Sequence, residues 1–221
     1  MVKFNSVFDV IGPVMVGPSS SHTAGAVRIA KIARDLFHQP MTWATIYLYG
    51  SFAKTYKGHG TDLALIGGLL GFDTNDTRMR QADELAEEKG LKVSFLEDSA
   101  ATDHPNTVRM QVGNEKESME LVGISIGGGK VEIKELNGFM LQLSGNHPAI
   151  LVTHNDRAGA IASVAQILAK YKVNIAHMEV NRKDLGKEAL MIIETDQNMD
   201  EIMMRELKDT PYINQVSKIV T

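Results

Sequence analysis

Cysteine is absent from the 221 residues. That absence excludes disulfides, thiolate zinc sites, a cysteine nucleophile and a cysteine-held iron–sulfur cluster within this polypeptide. Runs of Lys and Arg are missing too, and the formal net charge is −4, so nothing favours nucleic acid as a partner. Long apolar runs are equally scarce. The stretch LALIGGLLGF at 63–72 has about half the ~20 residues that a membrane-crossing helix requires. The opening MVKFNSVFDVIGP has one cation and no small-residue cleavage site after an apolar stretch, so it reads poorly as a signal peptide. The expectation is a cytoplasmic protein without a membrane anchor.

What is present is an ordinary globular mixture, 43% hydrophobic and 23% charged, with length for one large domain or two smaller ones. Ala26, Ile29, Ile32, Ala33, Leu36 and Phe37 recur at three- and four-residue steps. They predict a helix over 19–38, capped by Ser19, Ser20 or Ser21. WATIYLYG (43–50) predicts a short buried strand, and SFAKTYKGHGTD a turn region leading into a second helix over 62–70. A third, polar helix lies within DTRMRQADELAEEKG and stops at Gly90. LKVSFLED, a loop ending in DHPN, and TVRMQVGN follow. The triple glycine in ESMELVGISIGGGKVEIKEL predicts a sharp bend between two β-rich arms.

Residues 145–148, GNHP, read as a linker. Beyond it the pattern is strand, amphipathic helix, two strands, helix, strand: the βαββαβ order of a ferredoxin-like fold. The expected organisation is therefore α+β, with domains over 1–146 and 147–221.

Chemistry concentrates in three turns. GPSSSHT (17–23) gathers hydroxyls and His22 at the mouth of the first helix. Its readings are a Ser–His hydrolase, for which no G-x-S-x-G elbow exists, simple over-capping, or an anion seat made of helix amides and hydroxyls. KGHGTD (57–62) sets His59 between glycines, with Asp62 able to cap the next helix or orient the ring. DHPN (103–106) fixes His104 before a proline and adds Asn106. ISIGGGK is not a phosphate loop, because Ile124 and Val131 stand where that pattern needs glycine and a hydroxyl.

GPSSSHTAGAVRIA, YGSFAKTYKGHGTD, DHPNTV and GISIGGG, in this order, resemble the β chain of bacterial iron–sulfur L-serine dehydratases over residues 1 to about 140. HNDRAGAIASVAQILAKYKVNIAHMEV resembles an ACT domain, with Ala158 where that pattern usually has proline. The resemblance implies conversion of L-serine to pyruvate and ammonia without pyridoxal phosphate, using a [4Fe-4S] cluster. It implies that the cluster cysteines lie in an α part, here a separate α chain, so this chain should be inactive alone. The first domain should resemble the allosteric substrate-binding domain of some phosphoglycerate dehydrogenases. Ser20, Ser21 and Thr23 are expected to bind the substrate carboxylate, His22 and His59 to handle protons, and His104 and Asn106 to bind from the neighbouring loop. In the ACT domain, Asn155, Asp156, Gly159 and Asn174 are expected to seat a regulatory ligand, and the domain to form homodimers. The competing readings are a stand-alone amino-acid-sensing ACT regulator without catalytic role and a zinc site of His22, His59 and His104.

Overall fold

In the computed structural model, which describes residues 13–219, the chain divides between Asn137 and Gly138 into two compact units. The division falls nine residues before the expected domain boundary, and strand β6 (Phe139–Leu143), which sequence patterning did not single out, lies after it. The reading of the opening segment rests on residues 1–12, outside the described residues.

Among the described residues, the first element of the first unit is a single π turn, Ser20–Ala24, that runs into helix α1 (Gly25–Phe37). The apolar stripe that predicted this helix is the face it buries: Ala26, Ile29, Ala30 and Ala33 have no exposed surface. Strand β1 (Trp43–Tyr49) follows. The expected turn region is instead helix α2 (Gly50–His59), separated by left-handed Gly60 from helix α3 (Thr61–Leu69). Only Phe52 of α2 is fully buried, so it carries no apolar stripe for a sequence reading to find. The polar third helix is a 3₁₀ turn, Thr77–Gln81, joined to α4 (Ala82–Glu88).

Strands β2 (Lys92–Asp98), β3 (Thr107–Gly113), β4 (Ser118–Gly127) and β5 (Lys130–Leu136) lie with β1 in one sheet. Their order is β2-β1-β3-β4-β5, with β2 parallel to β1 and the other neighbours antiparallel. Gly127, Gly128 and Gly129 all have positive φ at the β4–β5 bend, so the triple glycine makes the expected sharp turn. Helix α1 packs on β3, β4 and β5 and against α3. Its N-terminus is thereby held beside the α2–α3 junction and the loop before β3.

The second unit has the expected βαββαβ order: β7 (Ala149–Asn155), α5 (Ala160–Lys170), β8 (Ile175–Arg182), β9 (Glu188–Thr195), α6 (Glu201–Lys208) and β10 (Ile213–Ile219). The antiparallel sheet runs β10-β7-β9-β8. Ile150, Val152, Met191 and Ile193 meet Val164 and Leu168 of α5 and Met203 and Leu207 of α6 in one core. Burying such side chains contributes about 1.5–3 kcal/mol each.

Candidate functional site

Ser19 caps the π turn: its Oγ accepts the His22 amide at 3.1 Å, and its carbonyl accepts the Thr23 amide at 2.8 Å. A π turn is wider than an α turn and is frequent at functional sites. Here it turns the His22 ring toward α2 and the α2–α3 junction, where it lies 4.8 Å from the His59 ring and meets the edge of Phe52 at 5.2 Å, centre to centre.

Hydroxyls hold both nitrogens of His22. Nδ1 is 3.0 Å from Ser21 Oγ and 3.4 Å from Ser19 Oγ, and Nε2 is 3.0 Å from Ser51 Oγ. A neutral imidazole donates from one nitrogen and accepts at the other, so the hydroxyls on its two sides play opposite parts. Burial, and then the field of His59, lower the His22 pKa below its ordinary 6.5. The ring is therefore neutral, and able to take a proton, at neutral pH.

Thr23 bonds the α2–α3 junction. It is buried, and its hydroxyl donates to the His59 carbonyl at 3.1 Å. A hydroxyl has one proton, so this one is not offered to a carboxylate. Thr23 is a clasp between the π turn and the α2–α3 junction. Ser20 is half-buried at the mouth, with its carbonyl accepting the Gly25 amide. Asp62 does not orient His59; it accepts from Lys57 Nζ at 2.8 Å and from the Leu63 amide.

The 103–106 loop reaches the mouth through its backbone. The Pro105 carbonyl accepts the Ser51 amide at 2.7 Å, and Gly50, with φ of 53°, permits this approach because a Cβ there would lie 2.6 Å from that oxygen. His104 Nδ1 accepts the Asn106 amide at 3.1 Å, which leaves the proton of the neutral ring on Nε2. Burial lowers the His104 pKa as well. Asn106 Nδ2 donates to the Ser125 carbonyl at 3.4 Å. His59 Nδ1, Thr61 Oγ1, Asn106 Oδ1 and Ser125 Oγ are all buried without a hydrogen-bond partner. Native interiors leave few such atoms, and these four sit in two of the three segments that frame the mouth, 57–62 and 103–106, and in strand β4.

Among the described residues no group of three His, Asp or Glu side chains is placed to hold a metal. His22 and His59 are brought together, whereas His104 joins them only through Pro105 and Ser51.

Residues 6–92 match the family model described as serine dehydratase beta chain, and residues 149–211 the ACT domain model. The probable L-serine dehydratase beta chain of Bacillus subtilis (strain 168) is 59% identical over 218 residues, covering 99% of both chains. The L-serine dehydratase beta chain of Peptoniphilus asaccharolyticus is 37% identical over 198 residues, covering 89% of both. The chain belongs to the L-serine dehydratase beta-chain family. A D-3-phosphoglycerate dehydrogenase of Bacillus subtilis (strain 168) is 26% identical over 194 residues, which are 88% of this beta chain and 37% of the dehydrogenase.

The ACT residues of this beta chain do not form one cluster within a protomer. Asn155 pairs with Glu188 at one end of β9, while Ile175, next to Asn174, pairs with Thr195 at the other. The intervening strand separates them by about 23 Å. Asp156 is engaged: its carboxylate takes the Gly186 amide at 2.9 Å and Arg182 at 3.1 Å, and these hold its pKa below the ordinary carboxylate value. Gly159, φ 94°, precedes α5 and leaves that helix mouth without a side-chain cap. Asn174 bonds Asp196 and Gln197.

Two clefts of this beta chain are lined by neither His22 nor His59 nor His104. One, about 570 Å³, is lined by Arg34, Asp35, His38 and Met41 at the far end of α1. The other, about 500 Å³, lies between α4 and the start of β2. Sequence reasoning did not single out Ser51, Thr61 or Ser125 as site residues, since a lone hydroxyl at a helix start or within a strand carries no pattern.

Proposed function

We propose that the chain serves as the β subunit of a two-subunit iron–sulfur L-serine dehydratase and completes the substrate pocket from its 17–23, 57–62 and 103–106 segments. The observation that supports this most is convergence. Segments far apart in sequence close on one helix mouth, where two imidazoles and several hydroxyls meet. The alternative of a sensor without catalytic role gives no reason for that arrangement, and full-length similarity to beta chains does not favour it.

An iron–sulfur cluster requires thiolate donors. This chain has no cysteine, so its residues do not fit a cluster, which the proposal assigns to the cysteines of a separate α chain. Its own residues have tasks that do not depend on those ligands. Ser20 and Ser21, with the amides of the mouth, hold the serine carboxylate. His22 takes the α-proton, and the C–H electron pair becomes the Cα–Cβ double bond as the Cβ–O bond breaks. His59 returns a proton to the departing hydroxide, so that water leaves. The resulting enamine tautomerises to an imine and hydrolyses to pyruvate and ammonia. His104, through its Nε2–H, and Asn106 bind the substrate's polar groups from the adjoining loop.

In the second unit, Asn155, Asp156 and Gly159 of one protomer and Asn174 are proposed to seat a regulatory amino acid. Strands β8 and β10 end the sheet, and pairing such edges between copies would give a homodimer. None of the helices among the described residues is long and apolar enough to cross a membrane, which suits the cytoplasmic location proposed.

Co-expression with a cysteine-bearing α chain under anaerobic conditions tests the reading. The two chains should co-purify and form pyruvate from L-serine, and neither alone should do so. Pyruvate formation by the isolated chain would refute it.

A further inference from the structure

We infer that Ser51 is a positioning residue for the dehydration, fixing the orientation of the His22 ring. The inference rests on the reading of His22 as the base of the site proposed above. Ser51 Oγ is 3.0 Å from His22 Nε2, and Ser21 Oγ is 3.0 Å from Nδ1, so the ring is gripped at both ends. Ser21 is the neighbour of His22 in sequence and shares its turn, so it moves with the ring. Ser51 comes from another helix, 29 positions away, and ties the ring to the rest of the fold.

Ser51 is itself fastened from outside α2. Its amide donates to Pro105 O at 2.7 Å, with Phe52 N at 3.4 Å from the same oxygen. Gly50 makes room for that carbonyl. The loop that carries Pro105 is fastened in turn: the His104 carbonyl accepts Thr107 Oγ1 at 2.6 Å and Thr102 Oγ1 at 2.9 Å. DHPN and the start of α2 thus act on His22 through one hydroxyl. Without it, the ring keeps only the Ser21 side and can rotate about its own stem. Catalysis is sensitive to such loss of alignment, which can cost about a hundredfold for a displacement of ~1 Å.

Three replacements in the full chain, paired with its α chain, test the inference. Ser51→Ala should lower kcat about tenfold or more while KM for serine stays within about threefold. Ser51→Cys fills the same space with a feeble hydrogen-bonding group and should lose activity likewise, whereas Ser51→Thr should restore most of it. In the full chain alone, the ¹⁵N shift of His22 Nε2 should move in Ser51→Ala, which removes the hydrogen bond at that nitrogen. Unchanged ring shifts, or kcat unaffected in both Ala and Cys variants, would overturn the role of Ser51 and leave serine dehydration standing. If the unaltered pair makes no pyruvate, the dehydratase reading fails, and the ring shifts still decide whether Ser51 holds His22.

Discussion

Two causes keep His22 neutral, as its proposed role as a base requires: removal from water and the nearby His59. Replacing His59 with glutamine removes the second cause. His22 should then titrate at a higher pH, and the acid limb of kcat/KM for the reconstituted pair should move upward, together with the His22 ring resonances in a pH titration. A limb that stays or moves down would deny the coupling. Thr23 gives a second contrast. As a clasp to the His59 carbonyl, Thr23→Val should lower unfolding free energy by about 1 kcal/mol in urea, with KM for serine little changed. A tenfold or greater rise in KM at unchanged stability would return Thr23 to carboxylate binding. The three histidines were legible in the sequence because each sits in a turn marked by Gly, Pro or Ser. Ser51 and Ser125 were not, because their significance comes from what lies opposite in space.

Helix α2 illustrates why elements differ in legibility. Helix α1 announces itself by an apolar stripe, and the βαββαβ tail by its alternating periods. In α2, Gly50 opens the helix, Gly58 lies within it and Gly60 follows it, and little of it is buried, so local composition reads as a turn. Tertiary contacts at its N-terminus supply what propensity lacks. Gly50→Ala should therefore be costly. It combines a left-handed residue, about 1–3 kcal/mol for a side chain, with a contact on Pro105, and it should lower both the melting temperature and turnover. A neutral Gly50→Ala would show that the Pro105–Ser51 contact is dispensable. In the second unit, Leu168→Ala should cost about 2–5 kcal/mol, since Leu168 is fully buried in the core shared by both helices.

For the whole molecule, stability should depend on pH through the two desolvated histidines. His22 and His104 both lie below the ordinary 6.5 in the folded chain, chiefly because folding removes them from water. As pH falls below 6.5, the unfolded chain binds protons that the folded one refuses, so stability declines until the folded values are passed. Urea midpoints should therefore fall between about pH 7 and about pH 5; a flat or rising midpoint would contradict those directions. The existence of two units was legible from composition and period, but their division at Asn137/Gly138 was not, because β6 lies before the Gly–Pro segment that looks like the linker.

A base held on this chain and iron held on another is the central claim, and turnover of L-serine by the anaerobically reconstituted pair carrying His22→Ala tests it most directly. Loss of a general base costs about a hundredfold or more, so pyruvate formation should fall by at least that factor while the two chains still co-purify. Turnover within about threefold of the unaltered pair would contradict the account.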